Sequence, residues 1–215
     1  ASSDDVDPLV GGYLVPANAP GIKIVDEWDH LGMRGTCSHR VVLNEVLIPL
    51  NHAVSVAPWS TPKAGLNEEE SVWLAVLLGS LYDAIAQSAR DWFIGFLQQR
   101  APANLGAPLA SLPRFQELVG RIDTLLFTNH TLINSAACGQ VASSHTAQIK
   151  QVVTENAIRA VELMVESIGN HALTRQHPLQ RHYRNVLCGR IHTPQSDAIF
   201  TSVGKTALAA ARNTS

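Results

Sequence analysis

From residue 67 onward, apolar residues recur every three or four positions to the end of the chain, and this periodicity constrains the fold more than any other feature. A 3.6-residue period lays one apolar stripe along a helix, and long helices with short connections must bury those stripes against each other. The first predicted helix follows Asn67, a capping residue, with Glu68, Glu69 and Glu70 in its first turn, where carboxylates complement the helix dipole. Its expected stripe is Leu74, Leu78, Leu81, Ile85, Trp92 and Phe96. A second helix starts around Ser111 and Pro113, with Phe115, Leu118, Ile122, Leu125, Leu126 and Leu132 on one side. A third carries Ile149, Val153, Ala157, Ala160, Met164 and Ile168. A shorter helix begins at Pro178, where proline suits the first turn, and a last one follows Gln195. The expected class is mainly α, an antiparallel up-and-down helical bundle.

The first sixty residues follow a different pattern. Pro16, Pro20, Gly21, Gly32, Gly35 and Pro49 punctuate short apolar runs at Gly12 to Val15, Ile22 to Val25 and Arg40 to Ile48. The last run alternates in part through Val42, Asn44, Val46 and Ile48, as a half-buried strand does. Three strands rarely make a stable sheet, so a partial antiparallel β-domain is expected, completed or covered by something else. The Pro- and Ser-rich segment Ala57 to Gly65 reads as the linker. The expected domains are 1–60, a β remnant, and 61–215, the bundle.

Composition narrows the function classes. A formal net charge of −2 and the lack of a basic run give no footprint for nucleic acid. The longest apolar stretch, Val72 to Leu81, is interrupted by Gly79 and Ser80 and is short for a bilayer span, so no membrane partner is expected. Cys37, Cys138 and Cys188 are dispersed and odd in number, which fits reduced thiols in a cytoplasm. The chain opens on Ala1 rather than methionine, and a processed or truncated product is the expectation.

Several chemical motifs are absent or misplaced. Gly204, Lys205 and Thr206 resemble the end of a phosphate loop, but Ile199 stands where its first glycine belongs. Cys-x-x-Cys and His-Glu-x-x-His do not occur, the histidines do not fall at metal-ligand spacings, and no metal is expected. Basic residues concentrate between Gly169 and Gln195: His171, Arg175, His177, Arg181, His182, Arg184, Arg190 and His192. Arg181 and Arg184 share a helical face and can hold an anion, or they belong to a solvated basic face. Gly169 and Asn170 end the third helix, where glycine serves as a C-cap or allows close backbone approach to a cofactor. His192 precedes Thr193-Pro194, where a helix must stop, and reads as a dipole partner or as a titratable group beside a cleft.

The order of these segments resembles the acyl-CoA dehydrogenase superfamily. Pro20-Gly21-Ile22, then Leu31-Gly32-Met33-Arg34-Gly35-Thr36, then Val41 to Pro49 are similar to the closing strands of that family's middle β-domain. Ala89 to Phe96, Arg100, Gly106-Ala107-Pro108-Leu109 and Leu112-Pro113-x-Phe115-Gln116 resemble its "Y-x-x-x-R-x-x-F-G-x-P" passage. Gly169, Pro178, Arg181 and Arg184 match "GG-x-G-x-x-x-x-P-x-x-R-x-x-RD". The resemblance spans roughly residues 10 to 212 and rests on order and spacing together. It implies a homo-oligomer, dimer or tetramer, with FAD or FMN between β-domain and bundle. Arg100, Gly169, Asn170 and Arg181 are the implied cofactor contacts, with an intersubunit role the alternative for Arg100, Gly169 and Arg181. The family's N-terminal helical domain and "W-I-T-N/S" strand do not occur in this sequence, so the resemblance implies a C-terminal portion that is inactive alone.

Three departures bear on the reaction. The glutamate that many family members carry after "RD" falls at Thr193, which cannot act as a base. Asn170 and Ala172 replace two glycines, and Glu69-Glu70 stand near an arginine that meets CoA in relatives. These departures lean toward the flavin-dependent monooxygenase branch, similar to dibenzothiophene and hydroxyphenylacetate monooxygenases. There a histidine follows the "RD" segment, and His192 sits at comparable spacing. Its implied catalytic role is hydrogen bonding to, or proton exchange with, oxygenated flavin or a substrate hydroxyl. The alternatives are an acyl-CoA dehydrogenase acting on an acyl thioester and a non-catalytic oligomeric helical scaffold. A small-molecule or acyl-CoA substrate, and a reductase or electron-transfer protein, complete the implied partners.

Overall fold

The computed structural model describes residues 7–61 and 68–212, which divide into two compact units. Asn67, the expected cap, lies outside the described residues, as do residues 62–65 of the expected linker.

The β unit contains two separate antiparallel pairs. β1 (Leu9–Tyr13) pairs with β4 (Ala53–Pro58), aligning Leu9 with Pro58 and Tyr13 with Ala53, with a bulge between Val10 and Gly12. β2 (Ile22–Val25) pairs with β3 (Arg40–Leu43), aligning Ile22 with Leu43 and Val25 with Arg40. β3 ends earlier than expected, because Glu45 at φ +48° breaks the extended chain. It is exposed on both faces rather than half-buried. β4 begins ahead of the expected linker and takes in Ala57 and Pro58.

The second unit joins Leu31–Met33 to the helices. α1 (Glu68–Gln99), α2 (Pro113–Ala137) and α3 (Thr146–Ile168) form the bundle. A single turn, α4 (Asn170–Leu173), precedes α5 (Leu179–Leu187) and α6 (Ser196–Arg212). α2 starts on its proline, and α5 follows Pro178. Phe115, Ile122 and Leu126 from α2 share one buried cluster with Ala157, Val161 and Met164 from α3, and Val153 packs in a second with Val76, Ala136 and Ile149, close to the expected stripes.

The α1 stripe lies about one residue from its expected register. Ala75, Val76, Tyr82, Ala86, Ala89, Phe93 and Leu97 are buried, while Trp73, Leu74, Leu77 and Leu81 are exposed. Ile85, Trp92 and Phe96 are half-buried at its margin. Alanines face the neighbouring helices because close approach leaves little room, whereas the bulky leucines form a second, open apolar face. By length and composition α1 is long and apolar enough to cross a bilayer. In this fold Ala75, Tyr82, Ala86, Ala89, Phe93 and Leu97 line the bundle interior, and 33% of the most apolar stretch is buried.

Polar ties cross the bundle. Arg90 on α1 donates from Nε and Nη2 to both carboxylate oxygens of Asp123 on α2, at 2.8 and 2.9 Å. Deeper, Asn129 donates to Asp83 Oδ1 at 2.8 Å and to the Val153 carbonyl at 3.1 Å, and accepts from Asn156 at 3.0 Å. Buried amides and carboxylates need such partners, and here the network joins all three long helices.

Candidate active site around His192

α5 runs into a 3₁₀ turn at Cys188–Arg190, after which the chain passes through His192 to a cis Thr193-Pro194 peptide and into α6. His192 is exposed, yet its Nδ1 lies 3.1 Å from Tyr82 Oη, and the two rings meet edge-on at 6.1 Å. Tyr82 is buried within α1, and burial, reinforced by nearby Cys188, pushes its pKa up to about 12. The phenol is therefore a neutral hydrogen-bonding group at ordinary pH. The Nδ1 side of the imidazole is occupied, leaving Nε2 as its other hydrogen-bonding position.

The backbone of the turn is held from α3. Lys150 is 1% exposed and donates to the carbonyls of Gly189, His192 and Pro194 at 3.1, 2.6 and 3.0 Å. Arg190 grips both oxygens of Glu155 at 3.1 Å, and that carboxylate raises its pKa. Gly189 passes so close to α3 that an added Cβ would overlap Thr154 Cγ2 and sit 3.2 Å from the Tyr82 ring. The segment bearing His192 is thus tightly specified.

A second cluster lies farther along α1. Trp92 stacks on Phe96 at 5.3 Å, and His177 lies 5.3 Å from Trp92 and 5.9 Å from Phe96. His171 lies 5.4 Å from Phe96 and 6.2 Å from His177. These contacts bring the end of α1, α4 and the start of α5 to one end of the bundle. Arg100 follows Phe96 by one turn, Gly169 and Asn170 immediately precede His171, and Arg181 follows His177 by one turn; all four are exposed. Gly169 adopts φ +57°, ψ −128°, and no atom lies within 4 Å of a Cβ built on it. Such a glycine leaves bare backbone open at the end of the bundle that carries the aromatic cluster.

Tyr82 and Phe96 are fourteen residues apart on one helix, about 21 Å at helical rise. His192 and the other four candidates therefore do not form one side-chain constellation. Arg184, which shares a face with Arg181, is engaged elsewhere: Nε and Nη2 donate to Gln180 Oε1 and Nη1 to the Leu31 carbonyl. Among the described residues no group of three or more metal-ligating side chains occurs. Sequence reasoning passed over Tyr82 and Lys150. Lys150 left a signal, a cation between Thr146 and Ala157 on the apolar face of α3, whereas Tyr82 left none.

The helical unit has the fold of a known C-terminal domain family. The family model described as the acyl-CoA dehydrogenase C-terminal domain matches residues 84–196, and the chain belongs to that family. A putative acyl-CoA dehydrogenase, YdbM, from Bacillus subtilis is 32% identical over 197 residues, covering 88% of this chain and 50% of that protein. An L-evernosamine nitrososynthase from Micromonospora is 28% identical over 209 residues, covering 90% of this chain and 48% of the relative. The structure of KijD3 with FMN and a dTDP-linked amino-keto sugar superposes with a TM-score of 0.78 at 22% identity. It covers 97% of this chain and 53% of KijD3. The chain spans about half the length of the curated relatives it matches.

Proposed function

We propose that the protein of which this chain forms the C-terminal portion is a flavin-dependent oxidoreductase of the monooxygenase-like branch, with His192 as its catalytic histidine. The observation that carries this reading is the Tyr82–His192 contact: a buried phenol holds one imidazole nitrogen and leaves the other available on an exposed turn. Thr193 stands where a dehydrogenase glutamate would fall, so the turn offers an imidazole in place of a carboxylate. Bound FAD or FMN would supply the redox and oxygen chemistry. His192 would donate a hydrogen bond to, or exchange a proton with, a reacting oxygen, work suited to imidazole near neutral pH. Arg100 and Arg181 would hold the cofactor's phosphates, and the backbone at Gly169 and Asn170 would admit close approach.

Acyl-thioester dehydrogenation is the second reading, favoured by the 32% identity to a putative acyl-CoA dehydrogenase. A homo-oligomer, dimer or tetramer, belongs to the proposal, supported by the exposed apolar faces of α1 at Leu74, Leu77 and Leu81 and of α6 at Phe200 and Leu208. So do a small-molecule substrate and a reductase or electron-transfer partner. A cytoplasmic location rests on the dispersed, odd-numbered cysteines.

The discriminating experiment mixes the intact protein with reduced FMN or FAD and then with air. A transient absorbance of oxygenated flavin supports the monooxygenase reading. Bleaching of oxidised flavin by butyryl-CoA under nitrogen, with no such transient, replaces it with dehydrogenation.

A further inference from the structure

Lys150 occupies a position where a lysine is costly. It lies on the core face of α3 beside Ile149 and Val153, and among the described residues no carboxylate sits within ion-pair distance of its ammonium. Burial lowers its pKa, an effect that Glu155 only partly opposes. A buried cation persists only where its hydrogen bonds are well satisfied. Here the three ammonium protons have three acceptors, all from the short segment 189–194. One of those acceptors is the carbonyl of His192 itself.

The buried Tyr82 hydroxyl needs an acceptor, and Nδ1 of His192 is its partner among the described residues. With the phenol donating, a neutral imidazole carries its proton on Nε2. The group available to a ligand is then a hydrogen-bond donor.

We propose that Lys150 is a positioning residue: it clamps the Gly189, His192 and Pro194 carbonyls, so that His192, fixed by Tyr82 at Nδ1, presents an Nε2–H donor in one direction. This rests on the reading of His192 as the catalytic residue, and it adds both how that side chain is aimed and which proton it carries.

Three measurements on the intact protein test the proposal. In spectra of ¹⁵N-lysine-labelled wild type, an ammonium signal protected from solvent exchange should be present and should be lost in K150M. Hydrogen exchange of residues 189–194 should accelerate about tenfold or more in K150M, with α1–α3 unchanged. With reduced FMN and air as the probe, K150M and H192A should each shorten the life of oxygenated flavin, and the double variant should be no worse than H192A. Unchanged exchange at 189–194 in K150M, or a fully solvent-exchanging Lys150 ammonium in wild type, overturns the clamp. Multiplying effects in the double variant overturn positioning through His192. Faster exchange in K150M with an inert H192A supports the clamp and sinks the catalytic reading. Should K150M not fold, the wild-type ammonium signal decides.

Discussion

Tyr82 and His192, 110 positions apart in the chain, meet at 3.1 Å between phenol oxygen and Nδ1. The contact ties the middle of the first bundle helix to the turn between the last two helices. It turns an exposed histidine into one with a defined orientation.

Replacing His192 tests the chemistry. H192A should lower turnover by about a hundredfold or more, the usual contribution of a positioned acid–base side chain. KM should move little, because the lost interaction belongs to the reacting state rather than to binding. Steady-state kinetics of the intact, flavin-loaded protein measures both.

Tyr82→Phe removes only the hydroxyl. Stability should fall by about 1 kcal/mol at neutral pH, and turnover should drop by less than in H192A. The alkaline limb has a definite sign. Folding holds the phenol's proton more tightly, with its pKa pushed from 10 to about 12. The unfolded chain loses that proton first, so the phenol's contribution to stability declines between these values. Y82F should flatten this part of the pH dependence in urea unfolding between pH 9 and 12.

The helices and their order were legible because a 3.6-residue apolar period is a strong signal, and Pro113, Pro178 and Gly169 mark boundaries by local chemistry. The register of α1 is not legible there, since bulky leucines carry the stronger sequence signal while close packing selects Ala86 and Ala89. β4 was hidden because Ala57 and Pro58 look like a linker. His192 stood out by its place before Thr193-Pro194. Its supports on α1 and α3 are long-range contacts that no local spacing announces.

Asp83 provides a second pH test. Burial raises its pKa, although hydrogen bonds from Asn129 and Gln87 and the charge on His130 act in the opposite direction. The folded state therefore binds its proton more tightly than the unfolded one, and this contribution to stability is lost as pH rises through the window above 3.8. D83N retains an acceptor for Asn129 but carries no charge. Its melting temperature relative to wild type should rise from pH 4 to pH 7, and a constant difference would contradict the assignment.

Two glycines should separate strain from crowding. G169A meets open space and should cost about 1–3 kcal/mol through its backbone conformation alone, leaving the turn at 189–194 undisturbed. G189A meets Thr154 and Tyr82, and should cost about 1–3 kcal/mol by overpacking. It should also shift the His192 imidazole resonances, which G169A should leave in place.

The most direct measurement is a crystal structure of the intact protein with flavin and substrate or product bound. His192 Nε2 should lie about 3 Å from a flavin or substrate oxygen, with Nδ1 still on Tyr82 and Lys150 still on its three carbonyls. A flavin bound beyond reach of His192, even through one water, would contradict it.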